Sequence, residues 1–172
     1  MKLIEAMKRV KANKEKIANL QQMIGSYSAH LSHETPVYGT ETPEKITGWA
    51  QTCEDLGQEN IRLLTAIART NLATQVTVTL GEKRVTKPIS EWIWRRREYA
   101  ALDLITYQRM NDRNLKEGHM PSSVPGGTPV EVKIVRSYNP ERRDKKVAEY
   151  QGEPHEIDAT LEVTNAVTDL IE

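Results

Sequence analysis

Between Pro43 and Asn71 the apolar side chains fall at Ile46, Trp49, Cys53, Leu56, Leu63 and Ile67, with polar Asn60 in the one remaining slot. The gaps alternate three and four residues, which is the spacing of a heptad seam. A helix of this kind is built to lie along another helix, in the same chain or in a second one. These seven residues are therefore the first candidates for packing or interface positions. Asn60 is the polar member, and a buried Asn on a seam can fix register and partner number at a cost in stability.

A second stripe precedes it. Leu3, Val10, Ile17 and Ile24 recur every seven residues, with Met7 and Leu20 in support. This predicts an amphipathic helix from about Lys2 to about Ile24 that Gly25 is placed to stop. Ser26 to Glu41 reads as a polar connection. The seam helix then starts with Thr42 as N-cap, Pro43 in the first helical position and Glu44 near the positive end of the dipole.

Gln75 to Leu80 alternates with period two and is rich in β-branched residues, and Gly81-Glu82 turns the chain toward Lys83 to Thr86. That is a short hairpin, which needs helices or other strands beside it to be stable. A third helix is expected from Pro88 to Leu115, with Ile89, Ile93, Ala100, Leu104 and Tyr107 on one stripe and Trp92, Tyr99 and Leu102 on an adjacent face. Its apolar surface is wider than one partner requires. Beyond it, His119 to Pro129 has linker composition, and Val130 to Val135 reads as one more strand. A charged helix from Asn139-Pro140 to about Tyr150 is expected to break at Gly152-Glu153-Pro154. A last helix would then run from His155 toward Ile171.

Charge narrows the function classes. With 24 basic and 24 acidic residues the net charge is zero, so no global attraction to nucleic acid or anionic lipid is expected. An apolar content of 38% beside 28% charged residues suits long helices that expose most of their girth. The single Cys53 excludes an intrachain disulfide and reads as a seam residue. No apolar run approaches the roughly 20 residues of a membrane helix, and no secretory apolar core follows Met1-Lys2-Leu3. The expected location is the cytoplasm, or a virion if the chain is phage-encoded.

Catalytic signatures do not emerge. There is no Gly-rich phosphate loop, nucleophile elbow or zincin pattern. His30 and His33 lack an acid or thiol at ligand-like spacing, so no metal and no cofactor is expected. The densest local feature is Trp92-Ile93-Trp94-Arg95-Arg96-Arg97. Arg beside aromatic rings can stack on bases and grip phosphates, which makes Arg95, Arg96 and Arg97 candidate nucleic-acid contacts. Successive helical residues point about 100° apart, however, so the three do not form one patch by themselves. The competing reading is that they cover an apolar helix and pair with acids on a neighbour.

The opening Met1-Lys2-Leu3-Ile4-Glu5-Ala6, the segment Ile61 to Thr74 with Arg69-Thr70-Asn71-Leu72-Ala73-Thr74, and Glu156-Ile157-Asp158 followed by Asn165 resemble the septicolysin-like family. This is a group of small bacterial and phage proteins without an established activity. The resemblance implies long helices, a β-hairpin and an oligomeric habit, and transfers no functional residue. The cytolysin in the family label is poorly served here, because a membrane-crossing strand needs about 9–11 alternating residues and the hairpin strand supplies about six.

The expected fold is α+β, mostly α, with long antiparallel helices, a short β-hairpin and one additional strand. The expected organisation is a helical body over 1–117 with the hairpin at about 75–86, a linker over 118–129, and a strand plus helices over 130–172. The function that follows is non-enzymatic: a structural or assembly protein forming a homo-oligomer or joining virion proteins, for example as a capsid decoration or tail-associated component. Ile46, Trp49, Cys53, Leu56, Asn60, Leu63, Ile67, Trp92 and Trp94 are its expected interface or packing residues. The alternatives are a nucleic-acid-binding accessory protein using Arg95 to Arg97, and a membrane-active septicolysin-like protein.

Overall fold

A computed structural model describes residues 1–171. The chain is of the α+β class and mostly helical. Its elements are α1 (Leu3–Tyr27), α2 (Thr42–Ala73), β1 (Gln75–Leu80), β2 (Lys83–Pro88), α3 (Ile89–Trp94), α4 (Ala100–Gln108), β3 (Gly118–Met120), β4 (Val130–Val132) and α5 (Pro140–Val167). Residues Arg95–Tyr99 join α3 to α4 as a single π-helical stretch. Two units are distinguishable: the first comprises Met1–Val76, Lys87–Ser90 and Thr160–Glu172, the second Thr77–Thr86 and Glu91–Ala159.

In the first unit α1 lies along α2. Contacts run from Asn13 with Asn60, through Ile17 with Cys53, to Tyr27 with Trp49, so the two helices are antiparallel. The inward positions of α1 are Leu3, Ala6, Val10, Asn13, Ile17, Leu20, Ile24 and Tyr27, each buried or half-buried. Met7 does not belong to this set and is exposed; Ala6 takes the place because a three-then-four spacing from Leu3 passes through residue 6. Gly25 does not stop α1, which continues to Tyr27. The extra turn carries Tyr27 to a cluster with Tyr38 and Trp49, ring centroids 5.2 and 6.3 Å away, while Tyr38 and Trp49 lie 5.5 Å apart. Edge-to-face contacts of this kind fasten the connecting loop onto the helix pair.

At 32 residues α2 is about 48 Å long at a rise of 1.5 Å per residue. Thr42 opens it differently from the expected N-cap: it is already helical, and its hydroxyl donates to the Gly39 carbonyl oxygen at 2.9 Å. The other end is closed by a small polar assembly. The buried Thr70 hydroxyl donates to the Ala66 carbonyl at 2.8 Å and accepts the Ile171 amide at 2.9 Å. Leu3 N–H donates to the Thr168 carbonyl and Leu170 N–H to the Met1 carbonyl, both at 2.9 Å, forming an antiparallel bridge at Lys2 and Asp169. Lys2 Nζ adds contacts of 2.9 Å to Asp169 Oδ1 and to the Val167 carbonyl.

β1 and β2 form the expected hairpin, with Gly81 at φ +61° in its turn, a conformation that a residue without Cβ adopts freely. The strand β2 extends to Pro88, so that residue closes a strand and does not open a helix. The third helix is correspondingly shorter than expected. Its regular part ends at Gln108, and positive φ angles at Arg113 and Asn114 turn the chain instead of continuing the helix to Leu115.

The stretch 118–129 is not wholly linker, because Gly118–Met120 pairs antiparallel with Val130–Val132, Gly118 opposite Val132. Val130 to Val135 thus supplies only a three-residue strand. Gly152-Glu153-Pro154 does not break the last helix, and α5 is continuous from Pro140 to Val167. Pro154 lacks the N–H that the Tyr150 carbonyl would accept. The turn persists because its neighbours are anchored: Glu153 is 3% exposed and Ile157 fully buried.

Candidate functional site

In the first unit every seam residue of α2 faces inward. Ile46, Trp49, Cys53, Leu56, Leu63 and Ile67 are half-buried and Asn60 is buried. Their partner is α1 of the same chain, so the seam is spent on intramolecular packing. Asn60 Oδ1 accepts from Asn13 Nδ2 at 3.1 Å, and the same amide donates to Glu59 Oε2 at 3.1 Å. Arg9 pairs with Glu59 at the edge of this layer. One polar layer within an apolar seam specifies which residues lie opposite each other.

The outer face of α2 is different. Ile61, Leu64 and Leu72 are 59%, 46% and 66% exposed, and with exposed Ala68 they follow gaps of three, four and four residues. Side chains at that spacing share one face of a helix. α2 therefore carries two apolar stripes, of which α1 covers one. The seam pattern concealed the second stripe, although its spacing was present in the sequence.

In the second unit the Trp92–Arg97 cluster comes apart. Trp92 is 1% exposed and acts as a core residue, whereas Trp94 is 56% exposed and packs little. Arg95 is drawn inward: Nε and Nη2 donate to Glu153 Oε1 and Oε2 at 2.5 and 2.8 Å, and Nη1 donates to Asp103 Oδ2 at 2.6 Å. Its guanidinium also lies 5.3 Å from the Tyr150 ring centroid. The hydrogen bonds that Arg95 donates to Glu153 above all, opposed by burial and helped by Asp103, push the guanidinium pKa further up. Arg96 pairs with Asp158, and Arg97 is exposed. The three candidate nucleic-acid contacts thus divide into a half-buried ion-pair hub, a surface ion pair and one exposed cation.

Glu153 had no distinguishing mark in the sequence, since it sits between Gly152 and Pro154 where a break was expected. Its partner Arg95 lies 58 positions away. Exposed apolar side chains recur past the hub at Tyr99, Leu102 and Ile105. Among the described residues no group of three His, Cys, Asp or Glu is placed to hold a metal ion. No helix of the described residues is long and apolar enough to cross a membrane.

A solved structure from Corynebacterium diphtheriae, described as a functionally unknown conserved protein, shares this fold. It superposes with a TM-score of 0.57 at 19% identity, over 99% of this chain and 98% of that one. No family model matches the chain, and no curated protein matches it.

Proposed function

We propose that the protein is a non-enzymatic assembly component that associates with further copies of itself through the outer stripe of α2. The observation that carries this reading is the exposure of Ile61, Leu64 and Leu72 after α1 has filled the seam. Contiguous exposed apolar side chains on a regular helix face mark interaction surfaces. The seam residues themselves are not the contact, because their partner lies within the chain.

A second copy is the occupant that best suits this face. A single apolar stripe is self-complementary, since two copies related by a twofold axis can lay the same face against itself. Zero net charge, from 24 bases and 24 acids, leaves no long-range repulsion between copies at neutral pH. An oligomeric habit is also what the resemblance to septicolysin-like proteins implies.

Native mass spectrometry and light scattering at micromolar concentration test the reading. The expected result is a defined oligomer that the double variant Leu64→Glu and Leu72→Glu converts to monomer with its helical circular dichroism unchanged. A wild-type monomer under these conditions overturns it.

A further inference from the structure

A cleft of about 580 Å³ opens in the second unit between the β1–β2 turn and one face of α5. Its lining includes Leu80, Glu82, Lys83, Arg142, Lys145 and Ala148, and its volume falls within the range of about 300–1,000 Å³ typical of small-molecule sites. Arg142, Lys145 and Ala148 follow one another at intervals of three residues, so they lie on one helix face.

Much of the charge in this cleft is internally matched. Glu153 is held by Arg95, and Lys146 donates to Glu149 at 2.7 Å, which raises the Lys146 pKa. What remains is three cations, Lys83, Arg142 and Lys145, whose charged groups make no ion pair among the described residues, against the carboxylates of Glu82 and Glu156. Two ammonium groups and a guanidinium around one cleft suit a dianion, and the Arg fork offers paired donors to phosphate oxygens. Leu80 and Ala148 supply an apolar wall for an uncharged body.

We infer that this cleft binds a small organic phosphate. The inference is independent of the assembly reading, since the cleft lies within one chain and uses none of the α2 stripe.

Amide chemical-shift titration of the full chain with phenyl phosphate, and separately with inorganic phosphate, tests it at low salt. Saturable shifts at Gly81, Ala148 and Gly152 are expected, with phenyl phosphate binding the tighter of the two. The variant Arg142→Gln with Lys145→Gln should weaken binding roughly tenfold or more. Arg97→Gln, which removes an exposed cation outside the cleft, should leave binding unchanged, and the amide spectra report whether each variant is folded. Absence of saturable shifts, equal weakening by Arg97→Gln, or inorganic phosphate binding as tightly as phenyl phosphate would each overturn the inference.

Discussion

Asn13 donates its side-chain amide to Asn60 Oδ1 across 3.1 Å, placing one polar layer inside the apolar contact of α1 with α2. Removing Asn60 leaves the Asn13 amide with Glu59 alone. Asn60→Ala should cost about 1 kcal/mol in urea unfolding, the usual net loss for one part-buried hydrogen bond. The double replacement Asn13→Leu with Asn60→Leu should be neutral or stabilising, because the layer becomes apolar on both sides. A double variant as unstable as the sum of both single changes would contradict this account of the layer.

Arg95 and Glu153 form a bidentate ion pair in the second unit. Glu153 is 3% exposed, so Arg95→Met leaves a carboxylate with little access to water. A loss of about 2–4 kcal/mol is expected, toward the lower end for broken buried pairs because the Arg95 side chain is 22% exposed. Arg95→Met combined with Glu153→Met should be more stable than Arg95→Met alone. Chemical denaturation of the four proteins in this cycle measures the coupling directly.

Pro154 sits inside α5 at a position where any other residue would donate an N–H to the Tyr150 carbonyl. Pro154→Ala should stabilise by about 1–2 kcal/mol: restoring the helical bond gains more than the added freedom of the unfolded chain loses. The midpoint of thermal unfolding should rise. A lowered midpoint would mean that the ring itself contributes packing that Ala cannot replace.

Asp169 lies beside Lys2, whose hydrogen bond above all holds its carboxyl below the usual range. A group whose pKa is lower in the folded state stabilises fully above its unfolded value of about 4. That contribution disappears as pH falls through the lowered folded value. Asp169→Asn should therefore be somewhat less stable than wild type at neutral pH and should lose less stability on acidification. Urea midpoints measured from about pH 5 downward give the two slopes, and parallel slopes would exclude the effect.

The long helices could be read in advance because their information is local and repeated. Ile46 to Ile67 repeats the three-then-four spacing three times, and no single substitution would hide it. Turn positions with a backbone requirement, such as Gly81, were equally clear. Gly25 and Pro154 misled because a local preference worth a few kcal/mol at most was overruled by anchors nearby in space, Tyr27 against its aromatic partners and Glu153 against Arg95. The hub was invisible for a related reason: an acid gains meaning only from the base it meets, and 58 positions of sequence separate this pair. Met7 failed for a simpler cause, since a list of apolar residues does not say which of two adjacent positions the helix turns inward.

The wide turn at Arg95–Tyr99 has an arithmetical consequence for any comparison of this chain with others. A π-helical stretch accommodates one residue more than an α-helix would, and each residue in a helix advances the side-chain direction by about 100°. Deleting one residue there should restore an ordinary helix and leave Leu102 and Ile105 pointing nearly as before relative to Trp94, because the wide turn already absorbs the extra residue's rotation. A homologue one residue shorter at this point would present the same flank from an ordinary helix, so its alignment needs a gap there even though the residues on both sides agree.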